Sequence, residues 1–165
     1  MDAEASTRSH TFSWDDPTRA RQDAAEMSGL ELMTALRDGK LPPPPMAVLM
    51  GLAPVEVEPG RVVFSCTPLE AHYNPLGTVH GGMACTVLDT VTACAAHTTL
   101  EPGVGYTSIE IKVNYLRPIL STSGPLRATG TVTKTGSRVI FADGVLEDAD
   151  GRTVATASSS LLVMR

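Results

Sequence analysis

From Leu52 onward apolar and polar positions alternate, and one stretch breaks that rhythm. Between Gly81 and Pro102 no helix breaker occurs, and Met83, Ala84, Cys85, Val87, Leu88, Val91 and Ala93 to Ala96 go round most of a helical circumference. The pattern predicts a helix of roughly 18 residues. It is entered through a loop marked by Asn74-Pro75 and Gly77, starts at Gly81-Gly82 and is expected to be buried on nearly all sides. Period-two alternation predicts strands near 54–58 and 61–67, turned at Pro59-Gly60, and a long strand over 105–117. Three more follow near 126–135, 138–148 and 152–164, with hairpin turns at Gly136-Ser137 and Asp150-Gly151. In the long strand Ile109, Ile111, Val113 and Tyr115 are expected on one face, and Glu110, Lys112 and Asn114 on the other. One long helix among five or six antiparallel strands is an α+β pattern, satisfied by a sheet that curls round the helix.

Ahead of the strands the rhythm is helical. Residues 1–12 are polar and expected to fray, and Asp16-Pro17 reads as an N-cap with proline at the first helical position. Ser28 and Glu31 form a capping box for a helix through Asp38, stopped at Gly39, with Leu30, Leu32, Met33 and Leu36 on its apolar side. Pro42 to Pro45 then give a rigid extended spacer before a short apolar piece, Met46 to Met50. We divide the chain into a helical extension and proline linker, 1–45, and a domain over 46–165.

Composition narrows the function. A chain of 165 residues that is 42% hydrophobic can bury a substantial core. A net charge of -5 argues against nucleic-acid binding, so a polyanionic ligand needs a local cluster of Lys and Arg. Three cysteines without metal-type spacing suggest thiols in a reducing compartment. No signal peptide or membrane span is read, so a cytoplasmic location is expected.

Chemistry concentrates on the predicted helix. Asp89 is a carboxylate on an otherwise apolar helix, too deep to cap its start and far in sequence from the nearest cations, Arg61 and Lys112. Such a group needs a partner or a purpose. At the helix start the amides of Gly81 and Gly82 lack partners within the helix, and the dipole favours an oxyanion there. Glycine lets a carbonyl approach closely, and His80 and Asn74 bring side-chain donors from the loop. The nine residues from His80 to Asp89 span about 13 Å of rise and about half a turn. One chain's pair cannot flank one small carbonyl, so a shared site requires a second copy across a two-fold axis.

The run Asn74-Pro75-Leu76-Gly77-Thr78-Val79-His80-Gly81-Gly82, Asp89 nine positions after the histidine, and Asn114-Tyr115-Leu116-Arg117-Pro118 closing the long strand resemble the hot-dog-fold acyl-CoA thioesterases. The likeness is to their phenylacetate-degradation branch and spans about residues 47 to 165. It implies hydrolysis of an acyl-CoA thioester by a homodimer with sheets joined edge to edge, often as a dimer of dimers, the homotetramer. By the resemblance Gly81 matches the carbonyl-binding amide, with Gly82 beside it. His80 and Asn74 match the groups that orient the helix start and the thioester. Asp89 matches the general base or nucleophile, supplied by the partner chain. Ser108 matches a position that holds the attacking water, with Thr107 as the alternative for a register shifted by one.

A thioester carbonyl is electrophilic without a metal, so oxyanion-binding amides and one carboxylate suffice, and neither a metal nor a separate cofactor is expected. Arg117, Lys134 and Arg138 are candidates to meet the CoA phosphates. Three rivals remain: an acyl-thioester dehydratase or hydratase on the same scaffold, a non-catalytic acyl-CoA sensor, and a serine hydrolase built on Ser158 to Ser160. The Asp on the helix favours hydrolysis over dehydration. No DNA-reading appendage is apparent. No Gly-x-Ser-x-Gly elbow supports the serine.

Overall fold

The structure, a computed structural model, describes residues 7–164. It is an α+β hot-dog fold: a six-stranded antiparallel sheet wrapped on one long helix. The strands are β1 (Leu52–Glu58), β2 (Arg61–Cys66), β3 (Gly105–Tyr115), β4 (Leu126–Thr135), β5 (Val139–Glu147) and β6 (Thr153–Met164). Their order is β1-β2-β4-β5-β6-β3, so β3 and β1 are the two edges. Three helices precede the sheet, α1 (Pro17–Asp23), α2 (Gly29–Arg37) and α3 (Pro45–Met50), and α4 (Gly81–His97) is the long one.

The helix sits in a dent made by two glycines. Gly130 on β4 pairs directly with Gly144 on β5. A Cβ at Gly130 would lie 2.0 Å from the Val91 carbonyl oxygen, and one at Gly144 would lie 3.0 Å from Leu88. Absence of side chains there lets α4 press Val87, Leu88 and Val91, all fully buried, among Val62, Leu126 and Leu146.

Burial of α4 is less complete than its composition predicts. Gly81, Cys85, Thr86, Asp89, Thr90, Ala93, Cys94 and His97 are only half-buried, and Gly82 is exposed. They form one side of the helix, facing away from the sheet. Small and apolar side chains on that side carry no signal of a missing neighbour, which is why the sequence reads as buried all round.

The long strand also departs from simple alternation. Ser108 pairs with Leu161 and Glu110 with Ser160, so Ile109 is an extra, bulged residue and is 55% exposed. Ile111 and Val113 pack towards the core, as expected, but Ile109 does not. The bulge shifts the inward set before it by one residue and turns Ser108 towards α4.

The capping signals hold at the N-terminal side. Asp16 accepts from the Thr18 amide, Ser28 and Glu31 form the reciprocal box, and Gly39 stops α2 with φ of 68°. α2 docks on the far end of α4, the Gly29 amide donating to the Leu100 carbonyl at 3.0 Å. Met33 of α2 belongs to the same core as α4. The proline run is shorter by one residue than expected, since Pro45 opens α3 as its first residue. Of the polar start, residues 7–12 form no regular element, although Arg8 pairs with Glu70; residues 1–6, where fraying was also expected, lie outside the described residues. Among the described residues no helix is long and apolar enough to cross a membrane.

Candidate active site

The start of α4 is held by its own loop. Asn74 Oδ1 accepts from the Leu76 amide at 2.8 Å, and its Nδ2 donates to Thr78 Oγ1 at 3.1 Å. Asn74 is therefore held by its own loop, with one of its two Nδ2 hydrogens engaged. The loop is tied down by the His80 amide donating to the His72 carbonyl and the Val79 amide donating to the Ile119 carbonyl.

His80 is the N-cap of α4, and its Nδ1 accepts from the Gly82 amide at 2.8 Å. With Nδ1 accepting, the neutral ring carries its proton on Nε2, which remains a donor as the sequence suggested, while Gly82 is no longer a free amide. The Met83 amide donates to the His80 carbonyl. Among the described residues the Gly81 N–H alone in this first turn has no partner. One open donor at the positive end of a 17-residue helix is the arrangement that favours a developing oxyanion. The ring of Tyr115 covers the site from the end of β3: a Cβ on Gly81 would meet it at 3.2 Å. Gly81 and Tyr115 line a cavity of about 370 Å³ with Arg117 and Pro118.

Asp89 lies two turns further along. Its Oδ1 accepts from Ser108 Oγ at 2.7 Å, and no cation pairs with it among the described residues. Asp89 and Ser108 line a separate groove of about 610 Å³ with Met46, Cys85, Thr90 and Ile109. The two cavities share no lining residue. Thr107 is exposed on the other side of the strand and does not line the groove, so Ser108 is the residue the bulge brings to the carboxylate.

The three candidate cations separate. Arg117 stands beside the Gly81 cavity, donating to the Thr153 carbonyl. Lys134 and Arg138 are exposed near the β4–β5 turn. β4 meets the last turn of α4 at Val132, beside Gly60 and Thr99, so these two cations belong to the opposite end of the helix from Gly81. The structure does not bring them together within one chain.

Met46 and Tyr115 are lining residues that motif reasoning did not single out. Tyr115 stands second in the matched run Asn114 to Pro118 with no role attached to it, whereas Met46 reaches the groove only because α3 folds back over β1, which no local pattern signals.

The antiparallel sheet wrapped on one central helix is the fold of the hot-dog thioester hydrolases. The chain belongs to the thioesterase superfamily, whose family model matches residues 76–155. It is 30% identical to a phenylacetic acid degradation-related protein from Ralstonia eutropha JMP134, covering 79% of this chain and 98% of that one with a TM-score of 0.72. Acyl-coenzyme A thioesterase 13 of Homo sapiens is 29% identical over 109 residues, 66% of this chain and 76% of that protein. The PaaI protein of the Escherichia coli phenylacetic acid degradation operon has the same fold at 20% identity, covering 86% of this chain and 96% of that one, with a TM-score of 0.72.

Proposed function

We propose that the protein hydrolyses an aryl- or medium-chain acyl-CoA thioester to the free acid and CoA, at sites composed of Gly81 from one protomer and Asp89 from its partner. The observation that carries this reading is the separation on one helix of an open oxyanion donor and a positioned carboxylate, in cavities that share no residue. On an ideal helix the eight residues between them correspond to about 12 Å. A two-fold axis that sets two α4 helices antiparallel brings each Gly81 near the opposite Asp89. β3 supports such a dimer: it is an 11-residue edge strand with Ile109 and Tyr115 exposed, suited to pairing with its own copy. Phe141, 42% exposed on the outer face of the sheet, favours a further dimer of dimers.

In this reading Asp89 takes a proton from water, whose oxygen bonds to the carbonyl carbon as the carbonyl π pair moves onto oxygen. The Gly81 amide and the helix dipole hold that oxyanion. When the carbonyl re-forms, the C–S bond breaks, and the proton on Asp89 passes to the departing sulfur. Ser108 donates its O–H in a hydrogen bond to the ionised Asp89, which leaves its lone pairs free to accept a hydrogen bond from the water. No step calls for a metal or an added cofactor. Arg117 beside the Gly81 cavity supports anchoring of a CoA phosphate, and Lys134 and Arg138 are further candidates. A cytoplasmic location agrees with the free thiols of Cys66, Cys85 and Cys94.

The test is thiol release from a panel of aryl- and alkyl-acyl-CoAs by wild type and Asp89→Ala. A fall of at least about a hundredfold in kcat/KM supports the reading. Tight acyl-CoA binding with no release by wild type turns it to a sensor.

A further inference from the structure

A mostly apolar cavity lies outside the Gly81 and Asp89 pockets. It holds about 500 Å³ beneath the N-terminal extension, walled by Ala20, Ala24, Leu32, Leu36, the proline run and His97. We infer that this cavity receives the distal carbons of the acyl chain, which makes the preferred substrate a linear acyl thioester of medium length. The inference rests on the thioesterase reading and deepens it.

Three observations carry it. Pro45 lines the apolar cavity and Met46, its neighbour, lines the Asp89 groove, so one step of the chain borders both spaces. His97 lines the cavity from the same half-buried side of α4 that carries Asp89, and the half-buried Ala93 lies between them at four-residue spacing. Finally, α1 contributes nothing to the core. None of its residues is buried, and its two half-buried alanines, Ala20 and the C-cap Ala24, are four apart on one face and both line this cavity. The exposed Arg21 and Asp15 also border it, leaving a charged rim around an apolar interior.

Length follows from the helix. Asp89 to His97 is about 12 Å of rise. An extended alkyl chain advances roughly 1.25 Å per bond, from a C–C length of about 1.52 Å and an angle near 111°. The span is about ten carbons. Since the tail enters the chain that carries Asp89, the acyl group is read by one protomer while the oxyanion is held by the other.

The experiment measures kcat/KM for butanoyl-, octanoyl-, dodecanoyl- and phenylacetyl-CoA with wild type, Ala20→Trp and Leu36→Trp, which fill the cavity from α1 and from α2. Preference is expected to rise by up to about fourfold per added methylene. In both variants the dodecanoyl-to-butanoyl ratio is expected to fall at least tenfold, with circular dichroism confirming that each is folded. An unchanged ratio in either folded variant, or a wild type that prefers phenylacetyl-CoA without chain-length dependence, overturns the inference. If wild type hydrolyses none of these thioesters, the hydrolase reading fails by itself, and calorimetry with a dodecyl thioether of CoA decides the pocket. Binding weakened at least tenfold in both variants upholds it, and equal or absent binding overturns it.

Discussion

Ser108 Oγ donates a 2.7 Å hydrogen bond to Asp89 Oδ1 across the space between β3 and α4, made possible by the bulge at Ile109. The bond orients a carboxylate that no cation holds. Ser108→Ala should lower kcat about tenfold, the worth of one hydrogen bond to a charged group, while Thr107→Ala, on the opposite face, should change it little. Steady-state kinetics on the best acyl-CoA checks both. Equal losses in the two variants would remove Ser108 from the mechanism.

Composite sites make an unusual demand on mixtures. Asp89→Ala and Gly81→Val should each be inactive, the second because a side chain at Gly81 crowds the Tyr115 ring 3.2 Å away. A heterodimer of the two retains one intact site. Unfolding and refolding an equal mixture should therefore recover about a quarter of wild-type activity when subunits redistribute at random. Recovery near zero from a mixture shown by mass spectrometry to contain heterodimers would place both groups in one chain's own site.

Much of this architecture is legible in the chain. Alternation finds all six strands, and Gly81 marks the start of α4 because the loop signals before it are local. What escapes is set by distant contacts. Ile109 looks like an ordinary inward strand residue, and only its pairing against β6 shows the bulge that brings Ser108 to Asp89. The bonds that fix His80 Nδ1 to the Gly82 amide and Asn74 Nδ2 to Thr78 depend on the loop's folded course, which no local pattern shows. The open side of α4 is hidden because alanine, cysteine and threonine suit either a covered or an uncovered face.

The glycine dent is a stability determinant that catalysis does not share. A Cβ at residue 130 falls 2.0 Å from the Val91 carbonyl oxygen, which is backbone and cannot rotate away. Gly130→Ala should cost about 3 kcal/mol or more through displacement of α4. Tm would drop by about 6–12 °C in a chain of this size. Differential scanning calorimetry checks it; a shift within a degree would mean that α4 is free to move off the sheet.

Thiol chemistry offers a check on packing. Burial pushes Cys66 up to about 12, and burial with the charge of Asp89 pushes Cys94 up to about 12. Both stay protonated at neutral pH, and the thiolate is the reactive form. In the native protein Cys66 and Cys94 should resist a disulfide reagent for hours and then react on denaturation, which mass spectrometry of labelled peptides follows. Rapid native labelling of Cys94 would show that the open side of α4 is far less covered than the structure describes.

Acid should weaken the fold through its histidines. Burial holds His97 below its ordinary value, its ring 4.9 Å from that of Tyr106, and burial, with the neighbouring His10, does the same to His72. A lowered histidine value means the unfolded chain binds protons first. Stability is therefore fully present above the unfolded value of about 6.5 and is lost as pH falls through it towards the folded value. Each histidine contributes a slope of at most about 1.4 kcal/mol per pH unit within that window. Urea unfolding at pH 7.5 and 5.5 should show a lower midpoint at the acid value, and His97→Gln should reduce the difference. Carboxylates such as Asp148, held low by Arg152, remain ionised across this interval and do not contribute. A midpoint that rises on acidification would reverse the sign and show that His97 gains a partner when protonated.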